Sequence, residues 1–157
     1  MTFRPKTTAG LIALMISITQ AGTDPGRFRD QTGPAKSRLR GLSVVNASVV
    51  WASGADGTIL RTIDGGKTWG KIVVPGTESL DFRDVHALDA DRAWVLSIGE
   101  GEKSRIYFTR DGGRSWDMQY KGNDPRIFLD AISFWDERRG IAMGDPLDGR
   151  HLILATD

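Results

Sequence analysis

One turn sequence, used twice and begun a third time, sets the strongest limit on what this chain can fold into. Thr62-Ile63-Asp64-Gly65-Gly66-Lys67-Thr68-Trp69 returns as Thr109-Arg110-Asp111-Gly112-Gly113-Arg114-Ser115-Trp116, and Ala155-Thr156-Asp157 opens a further copy. The three aspartates stand 47 and then 46 residues apart. A turn that recurs every ~40–50 residues marks a repeat architecture, in which each unit buries its faces only against its neighbours.

The residues between the turns read as short strands. Leu39–Val45, Phe82–Leu88 and Phe128–Phe134 alternate apolar and polar positions, and each runs into a polar turn. Val49–Ala52, Ala93–Leu96 and Gly140–Met143 follow, then Thr58–Arg61, Arg105–Phe108 and His151–Leu154. Thr68–Val74 and Ser115–Tyr120 return from the octapeptide. Period-2 segments separated by Gly, Asp and Asn describe antiparallel meanders. Trp51 and Trp94 hold equivalent places, as do Trp69 and Trp116. The expected fold is all-β: a β-propeller fragment of about three four-stranded antiparallel blades at 38–75, 81–121 and 127–157, the last lacking its fourth strand. Three blades do not close a ring, so the sequence reads as the N-terminal part of a longer protein.

Every residue type in the octapeptide has a structural use. Gly65-Gly66 and Gly112-Gly113 permit positive φ in a hairpin. Asp64 and Asp111 accept hydrogen bonds from turn amides, and Thr62, Thr68, Thr109 and Ser115 offer local hydroxyls. Trp69 and Trp116 cover apolar area at the root of the returning strand. The pattern Ser/Thr-x-Asp-Gly-Gly-x-Thr/Ser-Trp resembles the Asp-box of BNR-repeat propellers, with Asp157 as the aspartate of the third copy. Phe128-Leu129-Asp130-Ala131-Ile132, Phe134-Trp135-Asp136 and Gly140-Ile141-Ala142-Met143-Gly144-Asp145-Pro146 are similar to the photosystem II stability/assembly factor-like family. That resemblance spans roughly residues 38–157. It implies a non-enzymatic propeller that binds a protein partner.

The N-terminus reads as an export signal over residues 1–21. Arg4 and Lys6 precede the apolar run Ala9–Ile18, and Ala21 offers a small residue for cleavage. The run is too short for a membrane span, which needs about 20 residues. A periplasmic or extracellular location follows, or the thylakoid lumen in a photosynthetic source. Residues 22–37, rich in Gly, Pro and polar side chains, read as a linker. Without residues 1–21 the chain keeps 19 basic against 20 acidic side chains. That balance gives no electrostatic case for nucleic acid as partner.

Chemistry is sparse elsewhere. The chain has no cysteine, and His86 and His151 lack metal-ligand spacing. No phosphate-binding loop or dinucleotide fingerprint is present, so no cofactor is expected. The Arg-Ile-Pro stretch of sialidases is missing; the sole Arg-Pro step is Arg4-Pro5. Alternation of the meander places the octapeptides on one edge of the array. The second-to-third-strand loops and inter-blade connections take the other. Glu78, Asp81, Glu100, Glu102, Asp124, Asp145 and Asp148 belong to that second edge, where Gly144–Arg150 is expected as a loop. Asp145, Asp148 and Arg126 are the candidate binding residues, with a protein as the expected partner. The alternative is a carbohydrate-active hydrolase with two carboxylates flanking a cleft. Arg92, Arg110, Arg114, Arg138 and Arg139 offer a basic patch on the octapeptide edge.

Overall fold

The computed structural model describes residues 27–156. They form three antiparallel sheets in which chain order and sheet order coincide. The first contains β1 (Leu39–Val44), β2 (Val50–Gly54), β3 (Thr58–Thr62) and β4 (Gly70–Ile72). The second contains β5 (Asp81–Ala87), β6 (Ala93–Ile98), β7 (Arg105–Thr109) and β8 (Asp117–Lys121). The third contains β9 (Leu129–Phe134), β10 (Gly140–Leu147) and β11 (Arg150–Thr156). A 3-10 turn at Gly101–Lys103 is the helical element among the described residues. Strands β1, β5 and β9 lie beside one another, so each sheet turns its first strand towards a common axis. The expected signal at residues 1–21 falls outside the described residues.

Two apolar cores hold the sheets face to face. Trp51, Ile59 and Ile72 of the first sheet meet Val85, Val95, Tyr107 and Trp116 of the second. Trp94, Leu96, Ile106 and Phe108 on the reverse of the second sheet meet Leu129, Ile132, Ala142 and Phe134 of the third. Strand β6 is therefore covered on both faces, and Ala93-Trp94-Val95-Leu96-Ser97 is buried without interruption. Trp94 lies stacked between Phe108 and Phe134, with ring centroids 4.5 and 3.9 Å away.

Polar bonds between sheets add direction to this packing. Ala87 donates its amide to the Ser43 hydroxyl at 3.0 Å, and Ile132 donates to Asp84 Oδ2 at 2.9 Å. The Trp51 indole donates to the Asp89 carbonyl at 2.9 Å. Arg61 reaches the Ala90 carbonyl and lies over the Trp51 ring.

The third sheet presents its other face to solvent. Ile141, Met143 and Ile153 are exposed, although they hold the places that Trp94, Leu96 and Ile106 hold in the second sheet. Strand β10 accordingly alternates buried and exposed over Gly140–Met143, with apolar side chains on both sides.

Three local expectations change. Strand β4 is short, Gly70–Ile72, because the octapeptide turn occupies residues up to Trp69. Residues 27–37 contain no strand, yet Gln31 and Gly33 lie against Trp69 and Leu60, so this stretch is more than a linker. The segment from Gly144 is a hairpin rather than a loop. Strand β10 continues through Asp145 and Pro146 to Leu147, which pairs with Arg150 across Asp148 (φ 52°) and Gly149 (φ 72°). Positive φ at both central residues is the geometry of a tight two-residue hairpin, and an Asp-Gly pair suits it. Pro146 is accommodated because the register shifts between Gly144 and Leu147.

Candidate binding surface

The octapeptides form closed, self-satisfied turns. Asp64 Oδ1 accepts from the Thr62 hydroxyl at 2.8 Å and the Thr68 amide at 2.9 Å, and Oδ2 accepts from the Thr68 hydroxyl at 2.7 Å. Asp111 repeats this with Thr109 and Ser115 at 2.9, 2.9 and 2.6 Å. The Thr62 and Thr109 hydroxyls in turn accept from the Gly66 and Gly113 amides at 2.9 Å. Gly65 (φ 73°), Gly66 (φ 83°), Gly112 (φ 73°) and Gly113 (φ 87°) carry the left-handed backbone. Hydrogen bonds from Thr68 hold the Asp64 carboxyl down at about 2, and those from Ser115 push Asp111 further down. Both carboxylates are committed to their own turns. Trp69 donates to Gln31 Oε1 at 3.1 Å, and Trp116 packs on the first core. Asp157 lies outside the described residues.

Three of the five arginines expected to form a basic patch on this edge, Arg92, Arg110 and Arg139, are instead paired with carboxylates. Arg92 binds Asp89 at 2.6 Å and reaches Glu137 of the third sheet at 3.6 Å, with Arg110 approaching the same carboxylate at 3.9 Å. Arg139 binds Asp136 at 2.6 Å. Asn46, Asp89 and Asp136 also cap equivalent turns, each accepting two backbone amides.

On the opposite edge the loops meet in pairs. Gly57 donates to Leu80 and Gly101 to Ile127, joining each second-to-third-strand loop to the connection that follows its own sheet. Arg126 and Asp148 come together here: the guanidinium lies 2.6 Å from Asp148 and 2.7 Å from Asp124. That bond holds the Asp124 carboxyl down at about 2. Asp145 does not join them. It is exposed on β10, and its amide donates to the Phe128 carbonyl at 2.9 Å. The remaining acids of this edge are spread out. Asp81 pairs with Arg40 at 2.9 Å, Glu102 pairs with Lys121 at 3.1 Å, and Glu78 accepts from the Gly76 amide at 3.3 Å. Glu100, Glu102 and Asp124 line a shallow depression of about 330 Å³ with Asn123 and Pro125. Among the described residues no three His, Asp or Glu side chains are grouped to hold a metal ion.

One repeated device escapes the strand-by-strand reading. The inner strands each carry a register shift, between Leu39 and Gly41, Phe82 and Asp84, and Leu129 and Ala131. A β-bulge leaves one residue unpaired and re-aims its side chain. The residues concerned are Arg40, Arg83 and Asp130, and they form ion pairs that cross the blade boundaries: Arg40 with Asp81 at 2.9 Å, Arg83 with Asp130 at 3.5 Å. The sequence carries only the spacing of the apolar residues, and burial gives that spacing its meaning. Phe82 and Val85 are both buried, as are Leu129 and Ile132, with two residues between them instead of one.

Radially stacked meanders whose first strands share an axis define a stretch of a β-propeller. The fold is that of the YCF48 propellers. A structure titled YCF48 bound to D1 peptide superposes with a TM-score of 0.64 at 20% identity, covering 79% of this chain and 38% of that one. YCF48 from Cyanidioschyzon merolae gives 0.57 at 18% identity, covering 80% and 39%. Among curated proteins, Vacuolar protein sorting/targeting protein 10 of Neosartorya fischeri is 29% identical over 110 residues, 64% of this chain and 7% of that protein. The chain thus spans well under half the length of the proteins it matches. No family model matches it.

Proposed function

We propose that this chain belongs to an exported, non-enzymatic propeller that binds a protein partner through the edge opposite the octapeptide turns, as an assembly or stability factor does. The carrying observation is the state of the carboxylates on that edge. Asp81, Glu102, Asp124 and Asp148 are each held by a cation, and Asp124 is pushed towards permanent ionisation. A glycosidic acid needs the reverse, a carboxyl raised by burial and facing a second one across a gap. Fixed charge pairs in loops between rigid strands suit recognition of a polar protein segment. The resemblance to the photosystem II stability/assembly factor-like family supports the same reading, as does the YCF48 structure solved with a peptide. Export rests on Arg4, Lys6 and the apolar run Ala9–Ile18.

The test is crosslinking of the intact gene product in an extract of its source, with captured proteins identified by mass spectrometry. Replacing Arg126, Asp145 and Asp148 together by alanine is expected to lower capture of the main partner at least about tenfold, since a few residues dominate an interface. Unchanged capture would remove this edge from the proposal. Turnover of a sialoside or another glycan, abolished by a single carboxylate substitution, would replace binding with catalysis.

A further inference from the structure

The turns between the first and second strands of the three sheets are built alike, and the first departs from the others by one exchange. Asp89 Oδ1 accepts the amides of Asp91 and Arg92 at 2.9 and 2.7 Å, and Oδ2 accepts from Arg92 Nε at 2.8 Å. Asp136 Oδ1 takes the amides of Arg138 and Arg139 at 2.9 and 2.8 Å, and Oδ2 accepts from Arg139 Nε at 2.8 Å. In the first sheet Asn46 stands in the aspartate's place and Val49 in the arginine's. Asn46 Oδ1 still accepts two amides, from Ser48 at 2.8 Å and Val49 at 2.9 Å. Only the oxygen of a carboxamide can accept, so Nδ2 takes the position of the second carboxylate oxygen. The cap itself gives no reason for an amide here, since an aspartate caps the same turn twice in this chain.

The amide that results is free and presented outwards. Asn46, Ala47 and Ser48 are all exposed, and neither Asn46 Nδ2 nor the Ser48 hydroxyl has a hydrogen-bond partner among the described residues. The three residues also form Asn-x-Ser with a residue other than proline between, the acceptor pattern for N-linked glycans. The chain's other asparagine, Asn123, is followed by Asp124-Pro125 and lacks that pattern. The turn is anchored on both sides. The Val45 amide donates to the Val49 carbonyl at 3.0 Å, and the Ser48 carbonyl accepts the Gly65 amide of the first octapeptide at 2.9 Å.

We propose that Asn46 is the acceptor of an N-linked glycan. The proposal rests on the export reading, because the transferase and its lipid-linked oligosaccharide serve chains that enter the secretory compartment. In the transfer a bond forms between Asn46 Nδ2 and C1 of the first sugar, and the bond from C1 to the pyrophosphate of the lipid carrier breaks. The lipid pyrophosphate leaves with the electron pair, and one proton passes from Nδ2 to a base of the transferase. Oδ1 takes no part, so the cap survives in the product. The glycan then stands on the octapeptide edge of the first sheet, where Ser48 meets Gly65, and the opposite edge stays open to a protein partner.

Mass spectrometry of the intact gene product, purified from its source and digested with trypsin, tests this. The peptide 41–61, bounded by Arg40 and Arg61, is expected to carry a sugar mass and release sugar fragment ions. The same digest reports whether residues 1–21 have been removed, which separates the two readings. A bare peptide in a chain that has lost residues 1–21 overturns the glycan and leaves export standing. A bare peptide in a chain that keeps them overturns both. Variants made in the same source locate the bond: Asn46→Asp keeps a capping oxygen and should lose the sugar completely. Ser48→Ala keeps the Asn46 amide and both capping bonds and should also lose it, whereas Ser48→Thr should retain it. Sugar persisting on the peptide in Ser48→Ala or Asn46→Asp overturns the assignment.

Discussion

Asp64 accepts hydrogen bonds from the Thr62 hydroxyl, the Thr68 hydroxyl and the Thr68 amide, and a protonated carboxyl would hold them less well. Its folded value, about 2, lies below the ordinary 3.8, so the ionised form is the one the fold favours. The stability this brings is complete above the ordinary value and drains away as pH falls from about 4 towards 2. Melting curves across that range should therefore steepen in their acid loss for the native chain and flatten for Asp64→Asn. An identical pH dependence in both would show that the turn does not draw on this charge. Glycines divide into two kinds at the same scale. Gly113 has φ 87°, and a β-carbon there would approach Ile72 to 2.5 Å, whereas Gly149 has φ 72° and open space around it. Gly149→Ala should cost only the left-handed backbone term, about 1–2 kcal/mol. Gly113→Ala adds a collision between sheets and should lower the denaturant midpoint further; equal losses would mean that Ile72 yields freely.

At the scale of strands and sheets, the packed faces carry the stability. Trp94 is wholly buried between two rings, and Trp94→Ala should cost about 3–5 kcal/mol in urea unfolding. His86 sits beside it on β5, tilted against Trp94 and Phe134 with centroids 6.3 and 6.0 Å away. Burial pushes its imidazole below the usual 6.5, partly opposed by the Asp84 charge and a hydrogen bond to the Phe134 backbone. The unfolded chain then binds a proton more readily than the folded one, so stability falls as pH drops below about 6.5. Tm measured from pH 7.5 to 5 should decline less for His86→Gln than for the native chain. These sheets were legible in advance because Trp51 and Trp94, and Trp69 and Trp116, recur with the turns. The bulges at Arg40, Arg83 and Asp130 were harder to see. A bulge is recognised only when the residues on either side are known to be buried on the same face.

At the scale of the whole molecule, two apolar faces remain uncovered among the described residues. Leu42 and Val44 belong to one; Trp135, Ile141, Met143 and Ile153 belong to the other. Apolar residues gathered on an open sheet face drive association. The 157-residue chain by itself should sediment as concentration-dependent oligomers, and Met143→Lys with Ile153→Lys should reduce their mass. Monodisperse behaviour of the native chain at all concentrations would show that these faces are quiet. The candidate site belongs to this scale too. Arg126 and Asp148 were named together from loop positions, and the hairpin at Asp148-Gly149 brings them into contact. Asp124 entered the pair from the same connection as Arg126, while Asp145 was left on β10.

By itself the sequence determined the repeat, the strands and the chemistry of the turns. Those depend on neighbours a few residues away: an aspartate four positions before a hydroxyl, two glycines able to take positive φ, an alternation of period two. Only the tertiary structure decided that Arg40 meets Asp81, that Arg83 meets Asp130, that Arg126 meets Asp148, and that residues 31–35 lie against Trp69. Each of these joins residues from different blades or from opposite ends of a repeat. Such distances in sequence are closed by burying one sheet face against the next, and a local pattern carries no measure of them.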